Sequence, residues 1–405
     1  MAVGKLGVPG KDDQVGRDGE KPAIPPAVFL LAATIFAVTT SEFMVAGLMP
    51  SLAAAFRVST GEIGYLISLF ALGMTIGGPL VTALLLHWRM PNTVAFRYLL
   101  GLFLIGSVAA ALAPGYGVMA AARIVQGVAS AACFGLAMTI SAALVAPALR
   151  GRAVSYVLAG LMLSPVIGVP AVAWIDQYAG WRASFWGVAG LVAICSAIVL
   201  VGVPHARDGD APDLSASLKA LANGRLWAAY ATSGLVIGAT FGAFSYFSPI
   251  FTSVAGVPRA SMPMLLAGYG VANVVGNLVI GRFADRFPMA ILIGGLSILA
   301  IALAVFALFA ASPAISIPAF LVIGLVGVSM NPAMVARVMR TAGPDPLVNT
   351  MHASMITAGL ALGSWGGGVA IDHGLGLTAP LWIGFGLAML GLLSLTPARF
   401  RSLPA

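Results

Sequence analysis

Residues 27–49, AVFLLAATIFAVTTSEFMVAGLM, form a run of 23 residues with one ionisable side chain, Glu42. At about 1.5 Å of rise per residue, such a run crosses the roughly 30 Å hydrocarbon core of a bilayer. A helix satisfies every main-chain polar group on the way. Working outward, five comparable runs follow before residue 204: Ile63–Leu86, Ala95–Ala113, Gly117–Val145, Ala153–Ile175 and Ala183–Val203. After a polar stretch, His205–Arg225, come six more: Leu226–Phe251, Met262–Phe283, Met289–Ala310, Ala314–Met339, Leu347–Ile371 and Leu377–Leu395. The fold expected is an all-α integral membrane protein with twelve transmembrane helices.

Composition demands the same solvent. The chain is 60% hydrophobic and 8% charged, with mean hydropathy +1.00, whereas a soluble domain carries about 25% charged residues. The net charge of +8 comes from dispersed Lys and Arg that do not cluster with aromatics, which argues against nucleic acid as a partner. Cys133 and Cys195 lie inside apolar runs and read as small buried hydrophobes. Residues 1–26 lack the apolar core of a signal peptide and are expected to be a disordered tail.

Lys and Arg also set the orientation, because cytoplasmic loops retain them. With both termini inside, seventeen fall on the cytoplasmic side and three, Arg57, Arg182 and Arg259, on the other. One missed or spurious span would invert every later loop. The two halves resemble each other: WIDQYAGWRASFWGVAGL at 174–191 aligns without gaps with AIDHGLGLTAPLWIGFGL at 370–387. The expected organisation is therefore a tail (1–26), a six-helix half (27–203), a cytoplasmic linker (204–225), a pseudo-symmetric six-helix half (226–396) and a tail (397–405). Duplicated halves imply a substrate site at their interface, reached from each side in turn as the halves rock.

Away from helix ends, two charged side chains lie within the spans, Glu42 and Arg123. Counted from the outer ends, they sit about 10 Å and 9 Å deep at 1.5 Å per residue. A charge at that depth is costly unless paired or hydrated, so the pair is either a structural ion pair or a proton relay. In the relay, desolvation opposes the charge on Glu42, Arg123 favours it, and opening to either side tips the balance. The sequence has no phosphate-binding loop of the form G-x-x-x-x-G-K-[ST], so a proton gradient is the expected energy source, with no cofactor, metal or catalytic residue. Asp176 and Asp372, equivalent in the repeat, read as structural, and His352 and His373 as helix-end or surface histidines. Phe241, Phe244, Tyr246, Asn273, Asn277 and Asn331, set in apolar spans, either pack onto neighbouring helices or are candidates to line a cavity for an uncharged or weakly polar aromatic compound.

Four segments resemble the major facilitator superfamily, in particular twelve-span drug–proton antiporters close to chloramphenicol-resistance and sugar- or purine-efflux proteins. They are Thr40-Ser41-Glu42-Phe43 with Gly47-Leu48-Met49-Pro50, Arg123-Ile-Val-Gln126-Gly127, the run from Gly160 through Pro165 and Gly168 to Pro170, and Gly281-Arg282-Phe283-Ala284-Asp285-Arg286. The resemblance implies proton coupling through Glu42, Arg123 and Gln126, an exporter's antiporter motif in span five, and a cytoplasmic latch at Gly281, Arg282, Asp285 and Arg286. The matching first-half loop, Gly78-Pro79-Leu80 to Leu86-His87-Trp88-Arg89, lacks the Asp, so two symmetric latches are not expected. The function implied is proton-coupled efflux of a small hydrophobic drug, chloramphenicol-like, by a monomer in the bacterial inner membrane. An importer or facilitator of a metabolite is the alternative within transport. A membrane-embedded enzyme or a sensor is the alternative outside it.

Overall fold

The structure is a computed structural model that describes residues 24–88, 90–203, 221–343 and 346–399. The expected tail to residue 23, most of the linker (204–220) and the last residues, 400–405, lie outside the described residues. Among the described residues, ten helical stretches are long and apolar enough to cross a membrane. One of them, Pro147–Gly202, is two spans joined at Gly180, whose φ of 80° and ψ of 165° break the helix. A shorter apolar helix, Ala379–Leu395, completes twelve.

In chain order these are α1 (Pro26–Phe56), α2 (Thr60–His87), α3 (Asn92–Ala111), α4 (Tyr116–Ala143), α5 (150–179), α6 (181–202), α7 (Gly224–Val254), α8 (Met262–Ala284), α9 (Pro288–Leu308), α10 (Pro313–Ala342), α11 (Pro346–Asp372) and α12 (Ala379–Arg399). Twelve crossings put both ends of the bundle on one face, called here the terminal face; the other is the distal face. Helices α1, α2 and α5 of the first half meet α7, α8 and α11 of the second.

Three spans contain irregular turns. Helix α5 passes through a π-helical turn at Ser164–Gly168, α7 through another at Ile250–Val254, and α10 through a 3-10 turn at Val328–Met330. Proline lacks an N–H and clashes with the preceding turn; Pro165, Pro249 and Pro332 stand in or beside these breaks.

Small residues set the closest helix contacts, as they do where lipid supplies no hydrophobic drive between helices. Gly234 and Gly238 of α7 face Gly359 and Gly363 of α11 so closely that a Cβ on either α11 glycine would collide with an α7 carbonyl. In the first half, Gly127 of α4 lies against the Phe70 carbonyl of α2 in the same way. Replacing Gly359 by Leu should therefore lower the thermal midpoint of the detergent-solubilised protein by several degrees or abolish folding, since overpacking costs about 1–3 kcal/mol or more. Gly101→Ala, with nothing among the described residues within 4 Å of the added methyl, should not lower the midpoint.

Candidate functional site

Arg123 and Gln126 stand three residues apart on one face of α4, and the close approach at Gly127 brings that face onto α2. The guanidinium carbon lies 4.2 Å from the centroid of the Phe70 ring, a distance suited to a cation–π contact. Arg123 is fully buried. Its Nη1 donates to the Ser41 carbonyl at 2.7 Å, the Ser41 hydroxyl at 3.4 Å and Gln126 Oε1 at 3.0 Å, while Nη2 donates to the Glu42 carbonyl at 3.0 Å. Gln126 Nε2 donates to Ser41 Oγ at 3.3 Å and to Ser107 Oγ of α3 at 3.0 Å. Four helices thus share one polar knot around a buried cation.

This differs from the direct ion pair considered from the sequence. Among the described residues, Arg123's hydrogen bonds run to main-chain carbonyls of α1, to the Ser41 hydroxyl and to Gln126, and none reaches the Glu42 carboxylate. Carbonyl dipoles turned toward the cation replace part of its hydration without using the carboxylate. Glu42 is half-buried, and its carboxylate feels the Arg123 charge across space. Among the described residues, Arg123 Nε is buried and has no hydrogen-bond partner.

Next to Glu42, Phe43 crosses to the other half: its ring stacks on Phe241 at 5.4 Å and 22° and meets Phe244 edge-on at 6.3 Å. Phe241 and Phe244 therefore stand where the halves meet, and Phe244 continues to Tyr269 of α8 at 4.9 Å. The other cavity candidates are less uniform. Tyr246 is fully buried and donates to the Ser364 carbonyl at 2.6 Å; packed against Gly64 and Gly367, it fills a seam between α2 and α11. Asn273 is buried, with its main-chain carbonyl taking a bond from Ser329 Oγ at 3.0 Å. Asn277 is half-buried one turn further along α8, and Asn331 carries a buried Oδ1 that has no partner among the described residues.

In span five, a Cβ on Gly160 would meet the Ala32 carbonyl of α1, and one on Gly168 would meet the Thr40 hydroxyl. Thr40 Oγ1 donates to Ser164 Oγ at 3.2 Å. Pro165 stands at the start of the π-helical turn, and Pro170 at the start of the helical stretch that follows it. A Cβ on Gly270 of α8 would collide with the Pro165 carbonyl and the Val166 nitrogen, so this turn abuts the second half. At the terminal face, Arg340 donates to the main-chain carbonyl of Asp285, and Arg286 lies over Phe287 at 5.0 Å. The contact made by the Gly281–Arg286 segment, which includes Arg282, is thus from α10 to the end of α8, within one half.

His352 departs from its reading as a helix-end or surface residue: it is buried, bonded through Nε2 to Ser233 Oγ at 2.9 Å and stacked on Tyr230 at 5.8 Å. Asp176 accepts from Ser51 Oγ of α1 at 2.5 Å. The sequence did not mark Phe43, Phe70 or Ser107 as site residues. Each acts through a neighbour on another helix, and no spacing along the chain reveals that.

The profile of the Major Facilitator Superfamily matches residues 31–348. The chloramphenicol resistance protein of Streptomyces lividans is 33% identical over 387 residues, 93% of this chain and 97% of that protein. The inner membrane transport protein YdhP of Escherichia coli strain K12 is 32% identical over 364 residues, 90% and 93% of the two chains. The chloramphenicol efflux pump Rv0191 of Mycobacterium tuberculosis strain H37Rv is 25% identical over 382 residues, 92% of each. The fold matches that of a bacterial homologue of the human lysosomal transporter Spinster in an inward-facing, occupied conformation, with TM-score 0.72 and 16% identity over 94% of this chain and 98% of that one. With twelve apolar helices, a buried polar knot and these relatives together, the chain belongs to the major facilitator superfamily and is a multi-pass membrane transporter, not an enzyme.

Proposed function

We propose that this transporter exports a small, hydrophobic, uncharged aromatic compound in exchange for protons, with chloramphenicol-like molecules the favoured class. The observation that carries the reading is the placement of Glu42: a half-buried carboxylate near a fully buried arginine that α1's own carbonyls hold in place. When Glu42 is ionised, its charge is balanced by Arg123. A proton on Glu42 leaves Arg123 compensated by dipoles and the Phe70 ring alone, with no opposite charge from Glu42, which changes the energy of α1 against α4. Because Phe43 follows Glu42 and stacks on Phe241, movement of α1 is felt at once by the aromatic contact between the halves.

That contact suits a planar apolar ligand better than a sugar, whose hydroxyls would need many more polar partners. Two of the relatives are named for chloramphenicol, which favours that class. The distribution of Lys and Arg supports a bacterial inner-membrane orientation with both termini cytoplasmic and the distal face outside. The unit of transport in this account is the monomer.

In an efflux-deficient bacterial host, the parent chain should raise the chloramphenicol concentration needed to stop growth, and Glu42→Gln should return it to the level of the empty host at equal membrane expression. Resistance unchanged in Glu42→Gln would move the proton carrier elsewhere. Arg123→Lys keeps the charge but loses the planar fork that spans two carbonyls and Gln126. It should lower the initial rate of chloramphenicol efflux at least about tenfold, the effect of losing roughly 1.4 kcal/mol; a parental rate would show that charge alone suffices.

A further inference from the structure

The repeated halves carry equivalent aspartates, Asp176 and Asp372, at matching places in the sequence repeat. They do different things. Asp176 is bonded by Ser51, within its own half. Asp372, at the end of α11, crosses to the other half: Ser59 Oγ donates to its Oδ1 at 2.6 Å and Tyr65 Oη to its Oδ2 at 2.8 Å. Both oxygens of one carboxylate are therefore held by α2 and the residue that caps it.

The donors are placed rigidly. Ser59 and Glu62 form a reciprocal cap at the start of α2: the Ser59 N–H donates to Glu62 Oε2 at 2.8 Å and the Glu62 N–H donates to Ser59 Oγ at 2.9 Å. With its oxygen accepting from Glu62, the Ser59 hydroxyl proton is directed at Asp372. Tyr116 of α4 braces the same turn by donating to the Glu62 carbonyl at 2.8 Å.

Beneath the carboxylate there is no clearance. A Cβ on Gly61 would collide with Asp372 and with the Gly368 carbonyl, and one on Gly64 would collide with the Tyr246 hydroxyl. Tyr246, from α7, thus plugs the seam that Asp372 spans. Where α5 meets the segment before α8, Gln177 donates to the Arg259 carbonyl of the second half at 2.6 Å, and the neighbouring Asp176 carboxylate feels the Arg259 charge.

We propose that Asp372 is the clasp of the distal gate: with Ser59 and Tyr65 it ties the second half to the first, over the Tyr246 plug, and must release before the transporter opens to the distal side. The orientation of that gate rests on the function proposed above, but gate closure can be read without any transported compound. Ser68, a buried residue one turn below Gly64 on α2, serves as reporter when changed to Cys in a chain carrying Cys133→Ala and Cys195→Ala. A membrane-impermeant maleimide is applied to intact cells and, separately, to inverted vesicles.

With the clasp intact, Ser68→Cys should label slowly from both sides of the membrane. Adding Asp372→Ala should raise the rate in intact cells several-fold, with Asp372→Asn and Tyr65→Phe raising it to a lesser degree. The same rise seen in inverted vesicles instead would keep the clasp and reverse the orientation. Parental labelling rates from both sides in all three variants, each monodisperse in detergent, would overturn the proposal; should Asp372→Ala fail to fold, the two milder variants decide. Because the readout needs no transported compound, the clasp can fail with export intact, and export with the clasp intact.

Discussion

A full positive charge buried among helices in a bilayer constrains everything placed near it. Arg123 is held by the carbonyls of Ser41 and Glu42, by Gln126 and by the face of Phe70. Those contacts draw on α1, α2 and α4, and Gln126 extends them to α3 through Ser107. The approach of α4 to α2 that makes this possible depends on Gly127, where any side chain would strike the Phe70 carbonyl. The motif Arg-x-x-Gln-Gly therefore reads physically as a cation, an amide that links it to a third helix, and the absence of a Cβ that lets the helices close.

The same economy recurs at the seams between helices. Gly359 and Gly363 bring α11 onto α7, and Gly270 brings α8 onto the π-helical turn of α5. In lipid, close packing and interhelical hydrogen bonds carry association, and close packing needs residues without side chains where backbones touch. Hinge-like irregularities fall in α5, α7 and α10, two of which take part in the contact between halves. Glycine seams hold helices together within each half and also where the halves meet, at Gly270 and at Gly61, while irregular turns in α5 and α7 lie at that meeting.

The fold was largely legible in the sequence because bilayer thickness sets a minimum length for an apolar run, and because loop charges check the count. Hydropathy did not reveal the turns inside α7 and α10, since apolar residues continue through them. Glu42 and Arg123 could be found as lone charges at matching depth, but depth does not fix orientation about the helix axis, and the guanidinium turned to carbonyls. Tyr246 illustrates the same limit: an aromatic in an apolar span has the same appearance whether it lines a cavity or fills a seam. Phe43 was visible as a residue and became informative only once α7 was placed against α1.

The proposed coupling has Glu42 carry a proton which the transported compound displaces or admits while Arg123 stays in place. Its most direct test is proton release by the detergent-solubilised protein in weakly buffered solution when chloramphenicol is added, with binding followed in parallel by calorimetry. The account predicts a proton signal from the parent chain that vanishes in Glu42→Gln. Binding by the parent without proton movement, or an equal signal from Glu42→Gln, would contradict it.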